Sequence, residues 1–313
     1  MSEKPSIYEE ITDKIVEALE GGVNPWVKPW NAQAGFHRNA ISNRPYRGVN
    51  ILLLNLISMI KGYADPRWIT FKAALENGGC VRKGERGVQV VFWKFLQVKD
   101  KEQKQENDEA IMFDDADETA GKKKRVIPFA RYYTVFNVEQ CEGLGVSPLE
   151  VPQEFDPDAT NPLAEQILTA PVIKHGGSSA AYMPGLDLIM LPSRGAFNTL
   201  NEYYVTGYHE TAHWTSHESR LNRKLGKRFG DQAYAFEELI AEIAAAYLGA
   251  YTNVPFDGMQ HPEYVQNWLT VLKGDKMAIF TAAGQAQKAC DFVLAKAGIN
   301  LMPETEAQEE AAV

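Results

Sequence analysis

Hydrophobic positions in the first twenty residues fall on one helical stripe. Ile7, Ile11, Ile15 and Leu19 recur one turn apart behind Ser6-Ile7-Tyr8-Glu9, which has the form of a capping box, and Gly21-Gly22 ends the run. Residues 49–60 are apolar almost throughout and stop at Gly62, as a buried helix would. The spacing over 69–77 predicts a third helix, with Gly78-Gly79 turning the chain after it. Residues 88–98 are β-branched and aromatic, the composition of a strand, and 129–138 supply its expected partner. Between them, 99–125 is a run of Lys, Glu, Asp and Gly, expected to be an exposed and mobile hairpin insertion.

Prolines and acids over 145–161 mark a boundary, and they place one domain at 1–145, a linker at 146–161 and a second domain at 162–303. In the second half, short strands are expected over 172–175, 180–183 and 187–191, after a helix that begins at 163. Thr199-Leu200-Asn201-Glu202 is read as another capping box, opening a helix through Tyr203, Tyr204 and Tyr208. Further helices are expected over 233–251, 262–272 and 276–296, and the acidic end, 304–313, is expected to be disordered. The pattern is that of two α+β domains.

Composition adds little to the fold but limits the function. Apolar residues are 45% and charged residues 23%, so the chain can build an ordinary core. Residues 49–60 are too short to span a bilayer, and the polar, acidic N-terminus does not resemble a signal peptide. Cys80, Cys141 and Cys290 are odd in number and far apart, without a C-x-x-C pair. A disulfide framework is therefore not expected, and a reducing cytoplasm is.

The helix ending in His209-Glu210-Thr211-Ala212-His213 carries the sharpest chemistry. Positions i and i+4 share a helix face, so both imidazoles can reach one metal ion, while Glu210 stands where a carboxylate can take a proton from water. A catalytic site of this type needs a third protein ligand. Glu238 is the leading candidate, and Glu242, one turn on, is either a residue that orients a ligand imidazole or the alternative ligand. Glu237 is expected to point away from that pair. Zinc is the expected ion, and manganese or cobalt also suit two histidines and a carboxylate. His217, a further four residues on, is too far along an unbroken helix to join them. His37, His175 and His261 are isolated and read as surface or capping residues.

Net charge is −9, yet from Arg38 to Lys94 ten Lys and Arg face three acids, a local excess of +7. Single strands are held by basic grooves with aromatic platforms. Arg44, Arg47, Arg82, Lys83, Arg86 and Lys94 are the candidate phosphate partners, and Trp68 is the candidate platform among Trp26, Trp30, Tyr46, Phe92, Trp93 and Phe95. Arg82-Lys83-Gly84-Glu85-Arg86-Gly87 forms the most concentrated basic turn.

Tyr182-Met183-Pro184, the strand 187–191 with Pro192, HETAHWTSHESRLNR and YAFEELIAE together resemble the C-terminal domain of ArdC-type antirestriction proteins. NPWVKPWN, PYRGVN, WITFKAA, VRKGERGVQVVFWK and YYTVFNVEQ resemble that family's single-stranded DNA-binding domain. Ser216 departs from the glycine expected in the H-W-T-G-H pattern. The resemblance implies a zincin-like fold, a metal held by His209, His213 and a downstream Glu, Glu210 as base, and protection of incoming plasmid or phage DNA from host restriction. A peptidase acting on a protein or peptide, with strand 187–191 pairing with its substrate, is one expectation. A non-enzymatic DNA-binding protector with a structural or vestigial metal site is the other, and a metal-dependent nuclease is a weaker third.

Overall fold

A computed structural model describes residues 6–26, 36–98, 125–147, 156–224, 232–256 and 262–299. Trp30, His261, most of the 99–125 insertion, part of the linker and the acidic tail lie outside those residues.

Helix α1 (Ile7–Glu20) begins as its sequence dictates. Ser6 accepts from the Glu9 amide at 3.3 Å and Glu9 accepts from the Ser6 amide at 2.8 Å. Its stripe of Ile11, Ile15 and Leu19 is buried, and α1 packs on α7 (Pro262–Gly274). Helix α2 (Val49–Lys61) is buried on nearly every side and ends at Gly62 in the left-handed conformation. The N-terminal sheet runs β1 (Arg38–Asn39), β2 (Arg67–Thr70), β5 (Arg125–Asn137), β4 (Val88–Val98), with β1 parallel to β2 and the other pairs antiparallel. The β4 edge is covered at Val91, where the Asn50 amide of α2 donates to the backbone oxygen at 2.7 Å and accepts from the backbone N–H at 2.8 Å. This closes an edge that would otherwise present unpaired backbone groups.

One expected helix is two elements. Trp68-Ile69-Thr70 is paired with Asn137, Phe136 and Val135 as strand β2, and only α3 (Phe71–Glu76) is helical. Thr70 both ends the strand and caps α3, accepting from the Ala73 amide at 3.2 Å. Beyond it, β3 (Cys80–Val81) pairs with β6 (Cys141–Glu142), and the cysteines are free thiols.

The second half holds α4 (Pro162–Ile167) and a three-stranded sheet ordered β7 (Ile173–His175), β9 (Leu188–Leu191), β8 (Ala181–Met183). Strand β9 is therefore central rather than free to take a substrate strand, and β8 is the edge nearer the site. Helices α5 (Leu200–Trp214), α6 (Gln232–Thr252) and α8 (Ala278–Lys296) pack together behind it.

The two halves share one continuous apolar cluster. Trp26 meets Trp268 edge-on at 5.5 Å, the Tyr247 hydroxyl donates to Gly48 O at 2.9 Å, and Thr12 donates to Lys276 O at 2.7 Å.

Candidate metal centre

Thr199 caps α5 by accepting from the Glu202 amide at 3.1 Å. The reciprocal half of the predicted box is displaced by one residue, because Glu202 accepts from the Asn198 amide at 2.9 Å. The helix then carries His209, Glu210 and His213 into the interior, where each is less than a tenth exposed.

The imidazoles converge. His209 Nε2 and His213 Nε2 are 3.0 Å apart, and the Glu238 carboxylate spans them, Oε2 lying 3.4 Å from His209 Nε2 and Oε1 3.4 Å from His213 Nε2. All three ligand-type atoms sit within 4.8 Å of one another. The other imidazole nitrogens are also faced by carboxylates. Glu242 lies 3.5 Å from His209 Nδ1 and Glu237 lies 3.5 Å from His213 Nδ1. Glu237 thus corrects the expectation that it points away. It is buried and held by Arg223 at 2.7 and 3.0 Å, and Arg223 also donates to Ala212 O and Thr215 Oγ1. A helix with three buried acids needs cations, and the chain loops back after Trp214 to bring one. In this loop Leu221 N donates to Thr215 O and Arg223 N to Ser216 O. His217 sits at its outer side, bonded to Ser219 rather than to the imidazole pair.

Burial alone would depress both imidazole pKa values, but the carboxylates outweigh it. His209 rises to about 10 through Glu238 and Glu242, and His213 to about 9 through Glu237 and Glu238. Burial works to raise Glu238, and the two imidazoles reverse this and hold it well below the usual carboxylate range. At 3.0 Å the two Nε2 atoms can share only one proton between them, and a divalent cation would take its place and satisfy both. The donor set therefore fits a metal ion of the zinc or manganese type.

Glu210 faces the edge strand, where the Tyr182 amide donates to its carboxylate at 2.7 Å. Behind that strand Asp187, at φ +48°, pairs with Arg220, whose guanidinium lies over the Trp214 ring.

The basic and aromatic candidates separate. Trp68 is fully buried, donating to His37 Nδ1 at 3.0 Å, so it is core and not a platform. His37 is likewise a buried acceptor rather than a surface residue, and burial pulls its pKa down to about 4. Arg82 is committed to Glu85 at 2.9 Å and to two backbone oxygens, so it braces the turn. Lys83 and Arg86 are exposed on that turn and Arg44 is half-buried. Arg47 is exposed and paired with Asp291 of α8. Lys94 lies on β4, with its side chain outside the described ones. Among the described helices, none is long and apolar enough to cross a membrane.

An H-E-x-x-H helix under an edge strand, facing acids from a second helix and preceded by a separate α+β region, defines a two-part zincin-like protein. Residues 5–136 match the family described as the N-terminal domain of anti-restriction factor ArdC, and 162–285 match the family of zincin-like metallopeptidases. The crystal structure of antirestriction protein ArdC from plasmid R388, metal-free, superposes with a TM-score of 0.75 at 36% identity, covering 94% of this chain and 98% of that one. Its Mn(II)-bound form gives 0.74 at 34%, covering 95% and 100%. The chain belongs to the ArdC family of antirestriction proteins. It is also 36% identical to y4eC of Sinorhizobium fredii, over 93% of this chain and 92% of that protein. It is 38% identical to a DNA primase TraC of Escherichia coli, over 93% of this chain and 27% of that protein. The chain spans about a quarter of the length of that relative.

Proposed function

We propose that this protein binds single-stranded DNA through its N-terminal half, holds a divalent ion at His209, His213 and Glu238, and hydrolyses an amide there while incoming plasmid or phage DNA is shielded from host restriction. The convergence of three buried ligand-type atoms within 4.8 Å carries the reading. The Mn(II)-bound form of the R388 relative supports a divalent ion, with zinc and cobalt as the other candidates.

A bound ion would supply Lewis acidity and lower the pKa of water. The chain's own residues do the rest. Glu210 takes the proton of the attacking water on its carboxylate and passes it to the leaving amine nitrogen. Glu242 and Glu237 orient the two imidazoles through their Nδ1 atoms, which leaves both Nε2 atoms directed inward. The Tyr182 amide fixes the Glu210 carboxylate beside the β8 edge, where an extended peptide would lie.

That same amide contact favours a second reading. Glu210 is satisfied without a substrate, as in a protector whose metal site is structural. DNA transfer into a restricting host separates the two. If hydrolysis serves protection, Glu210→Gln abolishes it. If protection rests on DNA binding alone, it survives Glu210→Gln and fails when Lys83 and Arg86 are neutralised.

A further inference from the structure

Among the described aromatic residues, Phe92 combines exposure with basic neighbours. It is 43% exposed on β4, yet its ring is fixed, with Tyr133 edge-on at 5.4 Å and Tyr46 tilted at 6.2 Å. Neither neighbour lies parallel to the ring. A lone exposed phenylalanine needs no explanation, but this one has basic company. Arg131 is exposed and stands directly across the ladder from Phe92, on the same face of the sheet. Arg47 follows Tyr46 in the chain and reaches over to Asp291 on α8.

The Arg47–Asp291 pair has the character of a replaceable contact. Both side chains are substantially exposed, at 53% and 39%, so water screens the attraction. The seam does not depend on it. Gly48 N donates to Gln287 Oε1 at 3.1 Å, and Gly48 O accepts from Tyr247. A phosphate could therefore take Arg47 while the two halves stay docked.

Resting on the single-stranded DNA reading above, we propose that the strand crosses the β4–β5 face at the seam with α8. One base stacks on Phe92, Arg131 takes a backbone phosphate, and a second phosphate displaces Asp291 from Arg47. Asp291 is thus a built-in competitor that weakens DNA binding.

The test is fluorescence anisotropy of a labelled oligothymidylate titrated with the full chain at fixed salt. Phe92→Ala is expected to weaken binding about tenfold or more, from the loss of one stacked base, while Phe92→Trp stays close to the wild type. Asp291→Asn is expected to tighten binding by about threefold or more, through removal of a competing negative charge. Arg131→Gln should lower the slope of log affinity against log salt by roughly 0.7. Wild-type binding that is unchanged by Phe92→Ala, or lost equally in Phe92→Trp, overturns the placement and leaves DNA binding standing. Asp291→Asn binding no tighter than the wild type overturns the competition. No binding by the wild type overturns the DNA reading and this inference together.

Discussion

Glu210 and Glu237 are carboxylates of the same site with different neighbours, and they should fail differently when changed. Glu210→Gln keeps the volume and removes the proposed base, so metal content should be unchanged while the proposed hydrolysis falls by about 10²–10⁴-fold. Metal analysis beside a peptidase assay checks this, and a metal-free variant would contradict the division of roles. Glu237→Gln removes the charge facing His213 Nδ1 and leaves Arg223 with a neutral partner. Metal affinity should drop about 10–100-fold, measured by calorimetric titration. His37 gives a pH prediction. Its folded pKa of about 4 lies below the free value of 6.5. Below about pH 6.5 the unfolded chain binds a proton that the folded chain refuses, so stability falls as pH drops from 6.5 to 4 and this contribution is then exhausted. The melting temperature of His37→Gln should decline less over that window than the wild type's. His209, Glu210 and His213 were legible because helical spacing alone brings them together. Glu238 was legible as an acid in an apolar run. The role of Glu237 was hidden because its cation, Arg223, comes from a loop that only the fold returns to the helix. The burial of Trp68 was not legible, because composition does not say which aromatics are core.

Elements with strong periodicity were legible in the sequence. The capping box of α1, the apolar run of α2 and the β4 strand all emerge where the pattern places them. The segment 69–77 was not, since its strand depends on pairing with β5, more than sixty residues away, and no local pattern reports that partner. The β4 edge depends on Asn50 in the same way. Asn50→Ala strips two buried hydrogen bonds from Val91 and should cost about 2–4 kcal/mol, readable in urea unfolding. Near the end of α6, a Cβ on Gly249 would lie 2.7 Å from the Val254 backbone oxygen. Gly249→Ala should therefore destabilise the chain by about 1–3 kcal/mol rather than strengthen the helix as an exposed Gly→Ala would.

At the scale of the whole molecule, a single apolar core passes from α1 and α2 into the helices behind the metal centre. The boundary expected from the prolines and acids of 145–161 describes the chain's sequence organisation, and the packing crosses it. Tyr247 belongs to the same helix as Glu238 and reaches Gly48 on the other side. The N-terminal sheet and the helix that carries Glu238 are thus parts of one packed body. The measurement that bears most directly on this account is calorimetric titration of the apo chain with Mn²⁺ or Zn²⁺, in the wild type and in His209→Ala/His213→Ala. The account predicts one ion per wild-type chain and no such binding in the double variant, with both proteins folded by circular dichroism. Equal binding by the two proteins would contradict it.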